Sequence, residues 1–351
     1  MVTKTQYYFV DIIKFLMCLC IIALHCGIHT VFDPDTQYWL EKGLFRLAVP
    51  FFFMTSGFLL GEKISKAEND TEKIKECFVK YSKRLLLLLM VFEPISILIN
   101  IIKYVCTGEG ILMICMRAVR SIVFYPRGAL WFIQACIVAV WIVYFFYKCN
   151  SNRWIFPLSV ILYSFALICN SYFFIAENSA LGNCLSLFLK VTVSARNGVF
   201  VGFPYIYWGI SVHRIYDHKI FKLCRSTIAW LALGLFYFLY LLELNIMKNF
   251  TLNDDGSLFI VLPFFTFLLL VLCLQFKIDT ENRKIILLRN LSTGMYVLHS
   301  PVRDVIQYGT KIVFGYNINL VFLFILTTLI CFSLCMMSYK SKNIFIKNLL
   351  K

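Results

Sequence analysis

The 14 cysteines of this chain include no C-x-x-C pair, and most are dispersed through apolar runs. That spacing suggests neither a zinc site nor a disulfide framework, and small buried hydrophobes are the simpler reading. Acidic residues are also scarce, 19 Asp and Glu against 34 Lys and Arg, for a net charge of +15. Such a balance invites a nucleic-acid reading, but no extramembrane stretch is long enough to fold alone and carry one. No A-x-A-like site follows the apolar N-terminal stretch, and further apolar runs do, so it reads as a first span and not as a signal peptide. The apolar runs lack the alternation of barrel strands, and no internal repeat is obvious.

What the chain has is hydrophobicity: 60% of its residues are apolar and the mean hydropathy is +0.77. Runs long enough to cross a bilayer, about 20 residues each, recur from end to end. The expected fold is all-α, a polytopic transmembrane bundle forming a single membrane domain over 1–351. Ten spans are expected, at about 8–26, 44–60, 85–106, 129–147, 154–170, 197–212, 226–245, 257–276, 290–308 and 317–338. Alternate connecting segments hold 22 Lys and Arg in one set and 9 in the other. The positive-inside rule places the richer set in the cytoplasm, with both termini. That set includes 61–84, 213–225 and 277–289; the poorer set includes 27–43, 107–128, 171–196 and 246–256. The tail KSKNIFIKNLLK mixes lysines with apolar residues and suits the inner membrane surface.

Ionisable groups inside such runs are costly in lipid and mark functional positions. In DIIKFLMCLCIIALH, Lys14 and His25 lie eleven residues apart. On a helix both then face the same way, about 16 Å apart along the axis. Lys14 is nearer the cytoplasmic end and His25 nearer the outside, and Asp11 is spaced to pair with Lys14. His25 and His29 have H-x-x-x-H spacing, but no acidic or cysteine partner is evident nearby, and no metal site is expected. Arg46 lies near the outer end of the second span. Lys80, Lys83 and Arg84 form a basic cluster at the cytoplasmic mouth of the third, suited to anchoring or to a phosphorylated ligand. Glu93 is an intramembrane carboxylate expected to face the interior. Arg127 and Trp131 mark the outer end of the fourth span, and Arg196 and Asn197 the outer start of the sixth. Ser292, Tyr296 and His299 fall on one helical face.

Taken together, Lys14-x10-His25, FRLAVPFFFMTSGFLL, the basic entry to the third span, ALWFIQACI, RNGVFVGFPYIYWG and LSTGMYVLH resemble the acyltransferase 3 family of bacterial membrane acyltransferases. The resemblance covers about 7–340. It implies an enzyme of the bacterial cytoplasmic membrane that moves an acyl group, often acetyl from acetyl-CoA, to a hydroxyl of a glycan or lipid-linked sugar at the outer face. His25 matches the family histidine that acts on the acceptor hydroxyl. Lys14 stands where the family has arginine, a point charge replacing a planar fork. The expected binding residues are Asp11, Lys14, Lys80, Lys83, Arg84, Trp131, Asn197, Tyr296 and His299, with Arg46 or Arg196 at the developing oxyanion. Acyl-CoA is the expected donor substrate and no bound cofactor is expected. The competing class is a transporter or export partner for a glycan or lipid-linked sugar, which would use the same polar groups without covalent chemistry.

Overall fold

A computed structural model describes residues 6–67, 70–149, 151–216, 227–250, 255–276, 283–343, 345 and 349. Parts of the expected 213–225, 246–256 and 277–289 connections, and most of the lysine-bearing tail, lie outside the described residues. Among the described residues the structure is helical, with no strand. The helices are α1 (Tyr8–Cys26), α2 (Pro34–Tyr38), α3 (Ala48–Ser65), α4 (Thr71–Cys106), α5 (Ile111–Val123), α6 (Leu130–Lys148) and α7 (Asn152–Cys169). They continue with α8 (Ala180–Thr192), α9 (Phe203–Tyr216), α10 (Thr227–Met247), α11 (Leu262–Gln275), α12 (Arg283–Phe314) and α13 (Leu320–Lys340).

Each of the ten stretches expected to span falls largely on helix. Among the described residues, six helical segments are long and apolar enough to cross a membrane: Tyr8–Cys26, Pro34–Ser65, Thr71–Cys106, Leu130–Lys148, Ile228–Met247 and Leu320–Lys340. Shorter apolar helices lie at Arg153–Cys169, Ala180–Thr192 and Leu262–Gln275. Two segments read as connections, 107–128 and 171–196, contain the helices α5 and α8. At 13 residues each they are too short to span, so a search for long apolar runs passes over them. On α5 the apolar side chains face outward: Ile111 is 81% exposed and Leu112 77%. An amphipathic helix with that pattern suits the membrane interface.

The chain divides into two compact units. The first comprises 1–48, 87–131 and 276–351. In it α1 packs along α12 and α13, and α13 packs along α12. Helix α1 ends where Gly27 turns left-handed (φ +76°) and its N–H reaches the carbonyls of Ala23 and Leu24. Glycine takes that backbone conformation without Cβ strain. Glu93, which was expected to face inward, is buried and accepts a hydrogen bond from the Ser121 hydroxyl, fastening α5 to α4.

The second unit comprises 49–86 and 132–275. Small residues let its helices meet backbone to backbone. An added Cβ at Gly57 of α3 would overlap the Ile206 carbonyl of α9, and one at Gly209 would overlap the Met54 carbonyl. Close approach of this kind supplies the dispersion contacts that hold helices together where lipid gives no hydrophobic drive. Buried polar groups satisfy the non-helical backbone before α11. Glu243 accepts from the N–H groups of Ile260 (2.6 Å) and Val261 (2.9 Å) and from the Tyr172 hydroxyl. Asn170 Oδ1 accepts from the N–H groups of Ser257 (2.6 Å) and Leu258 (2.9 Å). Such partners are required, because each unsatisfied backbone group away from water costs free energy.

Candidate functional site

The first unit brings together one group of candidate residues. Lys14 and His25 share the uninterrupted helix α1, so their eleven-residue spacing sets the axial separation of about 16 Å. Across from the C-terminal turn of α1, the His299 ring of α12 lies 5.1 Å from the His25 ring, centroid to centroid, tilted by 48°. The Tyr296 ring meets His299 edge-on at 5.8 Å. Arg303, one turn further along α12, donates from Nη1 to the His25 carbonyl oxygen at 2.9 Å and from Nε to Asp304 at 2.8 Å. His299 is fully buried, and neither of its ring nitrogens has a hydrogen-bond partner among the described residues. An unsatisfied buried polar group costs about 1–3 kcal/mol, so this imidazole is suited to a group that enters the site.

The turn before α6 is pinned to the same stretch of α12. The Tyr296 hydroxyl donates to the Ala129 carbonyl at 2.7 Å, and the Ala129 N–H donates to Ser300 Oγ at 3.3 Å. Gly128 has φ +60°, and a Cβ there would overlap the Ser300 side chain. The PRGALW and LSTGMYVLHSP segments are therefore one interlocked structure, and the polar atom of Tyr296 is engaged in holding it. Trp131 stacks on Tyr125 with centroids 5.6 Å apart.

Arg46 belongs to a separate charge cluster in the first unit. It donates to Glu41 at 2.7 Å, Lys42 reaches the same carboxylate at 3.1 Å, and His29 Nε2 lies 3.7 Å from it. His29 is thus held by a carboxylate in the turn region beyond α1. Burial pushes its imidazole below the ordinary histidine range, opposed by the Glu41 charge. Asp11 is buried on α1, three residues before Lys14.

The remaining candidates lie in the second unit. Arg196 forms an ion pair with Asp255 at 2.8 Å. Asn197 caps the wide turn before α9, its Oδ1 accepting from the N–H groups of Val199 (2.9 Å) and Phe200 (3.2 Å). Lys80 lies on the exposed surface of α4 and pairs with Glu76 one turn back at 2.6 Å; Lys83 and Arg84 are exposed on the same helix. The basic cluster thus stands at the surface, where a ligand's charges have access.

The sequence reading singled out His299 but passed over Arg303, Asp304 and Ser300. Their signal was present as HSPVRD, which puts Arg303 one helical turn beyond His299.

Comparison with known proteins bears on what this arrangement does. An amino-acid racemase of Enterococcus faecalis is 24% identical over 305 residues, covering 86% of this chain and 42% of the relative. A second amino-acid racemase from that organism is 29% identical over 201 residues, covering 56% and 27%. A serine/alanine racemase of Enterococcus gallinarum is 22% identical over 295 residues, covering 83% and 40%. The chain therefore spans less than half the length of these curated relatives. No solved structure matches. The family model described as an acyltransferase domain matches residues 7–336, a range that takes in α1 with Lys14 and His25, the basic face of α4 and the His299 segment of α12. A match over nearly the whole chain assigns it: this protein belongs to the acyltransferase 3 family.

Proposed function

We propose that the protein is a membrane O-acyltransferase that takes an acyl group, acetyl from acetyl-CoA in the simplest case, and transfers it to a hydroxyl of a cell-surface glycan or lipid-linked sugar. The observation that carries this reading is the pairing of His25 with the buried, unsatisfied His299 at one end of α1, with Lys14 about 16 Å back along the same helix. An extended pantetheine arm is of comparable length. Lys14 suits the anionic portion of coenzyme A at the cytoplasmic end of α1, and the exposed Lys80, Lys83 and Arg84 offer acyl-CoA a basic surface on α4. His25 accepts the proton of the acceptor hydroxyl as that oxygen attacks the thioester carbonyl. The carbon–sulfur bond breaks, the acyl group passes to the oxygen, and the thiolate of coenzyme A leaves and takes up a proton. Arg46 stabilises the developing oxyanion by exchanging part of its present Glu41 pairing for the reacting oxygen.

Incubating the purified, full-length protein with radiolabelled acetyl-CoA and a panel of hydroxyl acceptors tests the reaction class. Label transferred to an acceptor supports it. Binding and movement of a glycan across proteoliposomes without label transfer would favour the transporter class.

Two predictions follow from this orientation. Neutralising Lys80, Lys83 and Arg84 together raises the KM for acyl-CoA with kcat nearly unchanged, because contacts equally present in ground and transition states are lost. Steady-state kinetics check this, and unchanged donor KM would reduce the cluster to a topological anchor. Single cysteines placed at 61–84 should react with a membrane-impermeant maleimide only from the cytoplasmic side, and those at 27–43 only from outside. The opposite labelling of 61–84 would overturn the donor route.

A further inference from the structure

Where α4 ends against α5 and α12, cationic side chains gather around two tyrosines. Arg127 donates from Nη1 to Asn100 Oδ1 at 3.3 Å and to the Tyr104 hydroxyl. The guanidinium carbons of Arg127 and Arg117 lie 5.0 Å and 4.8 Å from the Tyr104 ring centroid. Lys103 sits 4.5 Å from the Tyr308 centroid and donates to its hydroxyl. Glu109 pairs with Arg117 at 3.4 Å. Among the described residues of this cluster three cations face two carboxylates, Glu109 beside Arg117 and Glu93 on the Arg127 side, which leaves an excess of positive charge packed against the aromatic rings.

An apolar groove runs along the same two helices, α4 and α5. Its walls include Leu89, Pro94, Leu98 and Ile101 of α4, with Ile122 and Pro126 from α5 and the turn after it. Its volume is about 630 Å³, within the range of ligand pockets. The Glu93–Ser121 hydrogen bond ties α5 to α4 along this wall. The cationic and apolar parts are contiguous in the chain: Ile101 lies beside Asn100 and Lys103, and Pro126 precedes Arg127. The groove opens beside exposed apolar side chains, with Leu98 59% and Ile122 59% exposed.

The geometry points to a binding site for a membrane lipid with a net anionic phosphate head, its phosphate at Lys103, Arg117 and Arg127 and its hydrocarbon chain along the α4–α5 groove. Arginine presents planar paired donors that match phosphate oxygens, and the excess of positive charge calls for an anion. A chain of apolar residues ending at such a cluster matches an amphiphile, and the bilayer supplies one directly. Free phosphate would leave the groove unused, and a neutral lipid would leave the cations uncompensated. Helix α12 links this site to the histidine pair, since His299 and Tyr308 are nine residues, about 13 Å, apart along it. A saccharide carried on the lipid phosphate spans that distance. The lipid is then the anchor of the acyl acceptor, a step that rests on the acyltransferase reading, whereas the lipid site itself does not.

The test uses the full chain in phosphatidylcholine nanodiscs with a polyprenyl phosphate bearing a diazirine in its tail. Photolabelling should map to residues 89–101 and fall about tenfold in Arg127→Gln and in Lys103→Gln, with Lys103→Arg restoring it. Label spread evenly over the helices, or unaffected by either variant, would overturn the site. Equal labelling by the corresponding polyprenol would remove the role of the phosphate. Displacement of the probe by millimolar inorganic phosphate would remove the role of the chain. His25→Ala should keep full labelling. Localised labelling in a protein that transfers no acyl group would leave the lipid site standing and overturn the acyltransferase reading alone.

Discussion

If His25 is the proposed general base, His25→Ala should lower acyl transfer by about 10²–10⁴-fold with the protein still inserted and monodisperse, because general-base catalysis of hydroxyl attack is typically worth that much. The loss falls on kcat, since the hydroxyl still binds but no longer gives up its proton in the transition state. Truncating His25 does not remove the Arg303 contact, which is made to the His25 backbone carbonyl. The turn at the end of α1 therefore keeps that tie to α12 in the variant. Lys14→Ala fails differently, chiefly in the KM for the donor, and Lys14→Arg retains part of the binding because the charge remains. Kinetics on thermally matched variants separate the two. Normal transfer by a well-folded His25→Ala protein would falsify the catalytic assignment and bring the transporter reading to the front.

The largest effects on stability are expected at the α3–α9 crossing. Gly57→Ala and Gly209→Ala each place a methyl group on the carbonyl oxygen of the facing helix, Ile206 in one case and Met54 in the other. Both obstacles are backbone and cannot rotate aside, so the helices must separate. Overpacking typically costs about 1–3 kcal/mol, and a rigid obstacle belongs at the upper end. The separation also sacrifices the packing that surrounds Phe58 and Tyr205, both fully buried. Gly234→Ala on α10 is the control, since no atom lies within 4 Å of the added methyl. Thermal unfolding of the detergent-solubilised proteins should show a marked fall in Tm for the first two. Gly234→Ala should leave Tm unchanged or slightly raised, because alanine is the better helix former. Equal behaviour of all three would mean that the crossing is looser than the backbone positions imply.

Much of the architecture was legible in the sequence because its causes are local. Hydrophobic runs near 20 residues long mark helices without reference to their neighbours, and the spacing of Lys14 and His25 on α1 follows from 1.5 Å per residue. Glu93 read as an inward carboxylate because lipid makes no other orientation cheap. Helices α5 and α8 did not register as separate elements, since a 13-residue amphipathic helix resembles a polar-flanked connection when runs are sought by length. The roles of Asn197 and Tyr296 were likewise hidden. Each is a polar residue at a suggestive place, and only folded neighbours reveal that one caps the turn before α9 and the other ties α12 to Ala129.

By itself the sequence determined the helical class, the apolar segments, the positions of the costly polar groups and the motifs that mark the family. Tertiary structure decided which of those groups meet. His299 is 274 residues from His25, and only the packing of α12 along α1 sets their rings 5.1 Å apart. The cations around Tyr104 are likewise assembled from α4, α5 and the turn beyond it, and Tyr308 of α12 meets Lys103 from 205 residues away. Periodicity reports which face of a helix is apolar, because that depends on the bond geometry of one segment. It carries no information about the partner face, which is selected by the shape, charge and hydrogen bonding of residues far away in the chain.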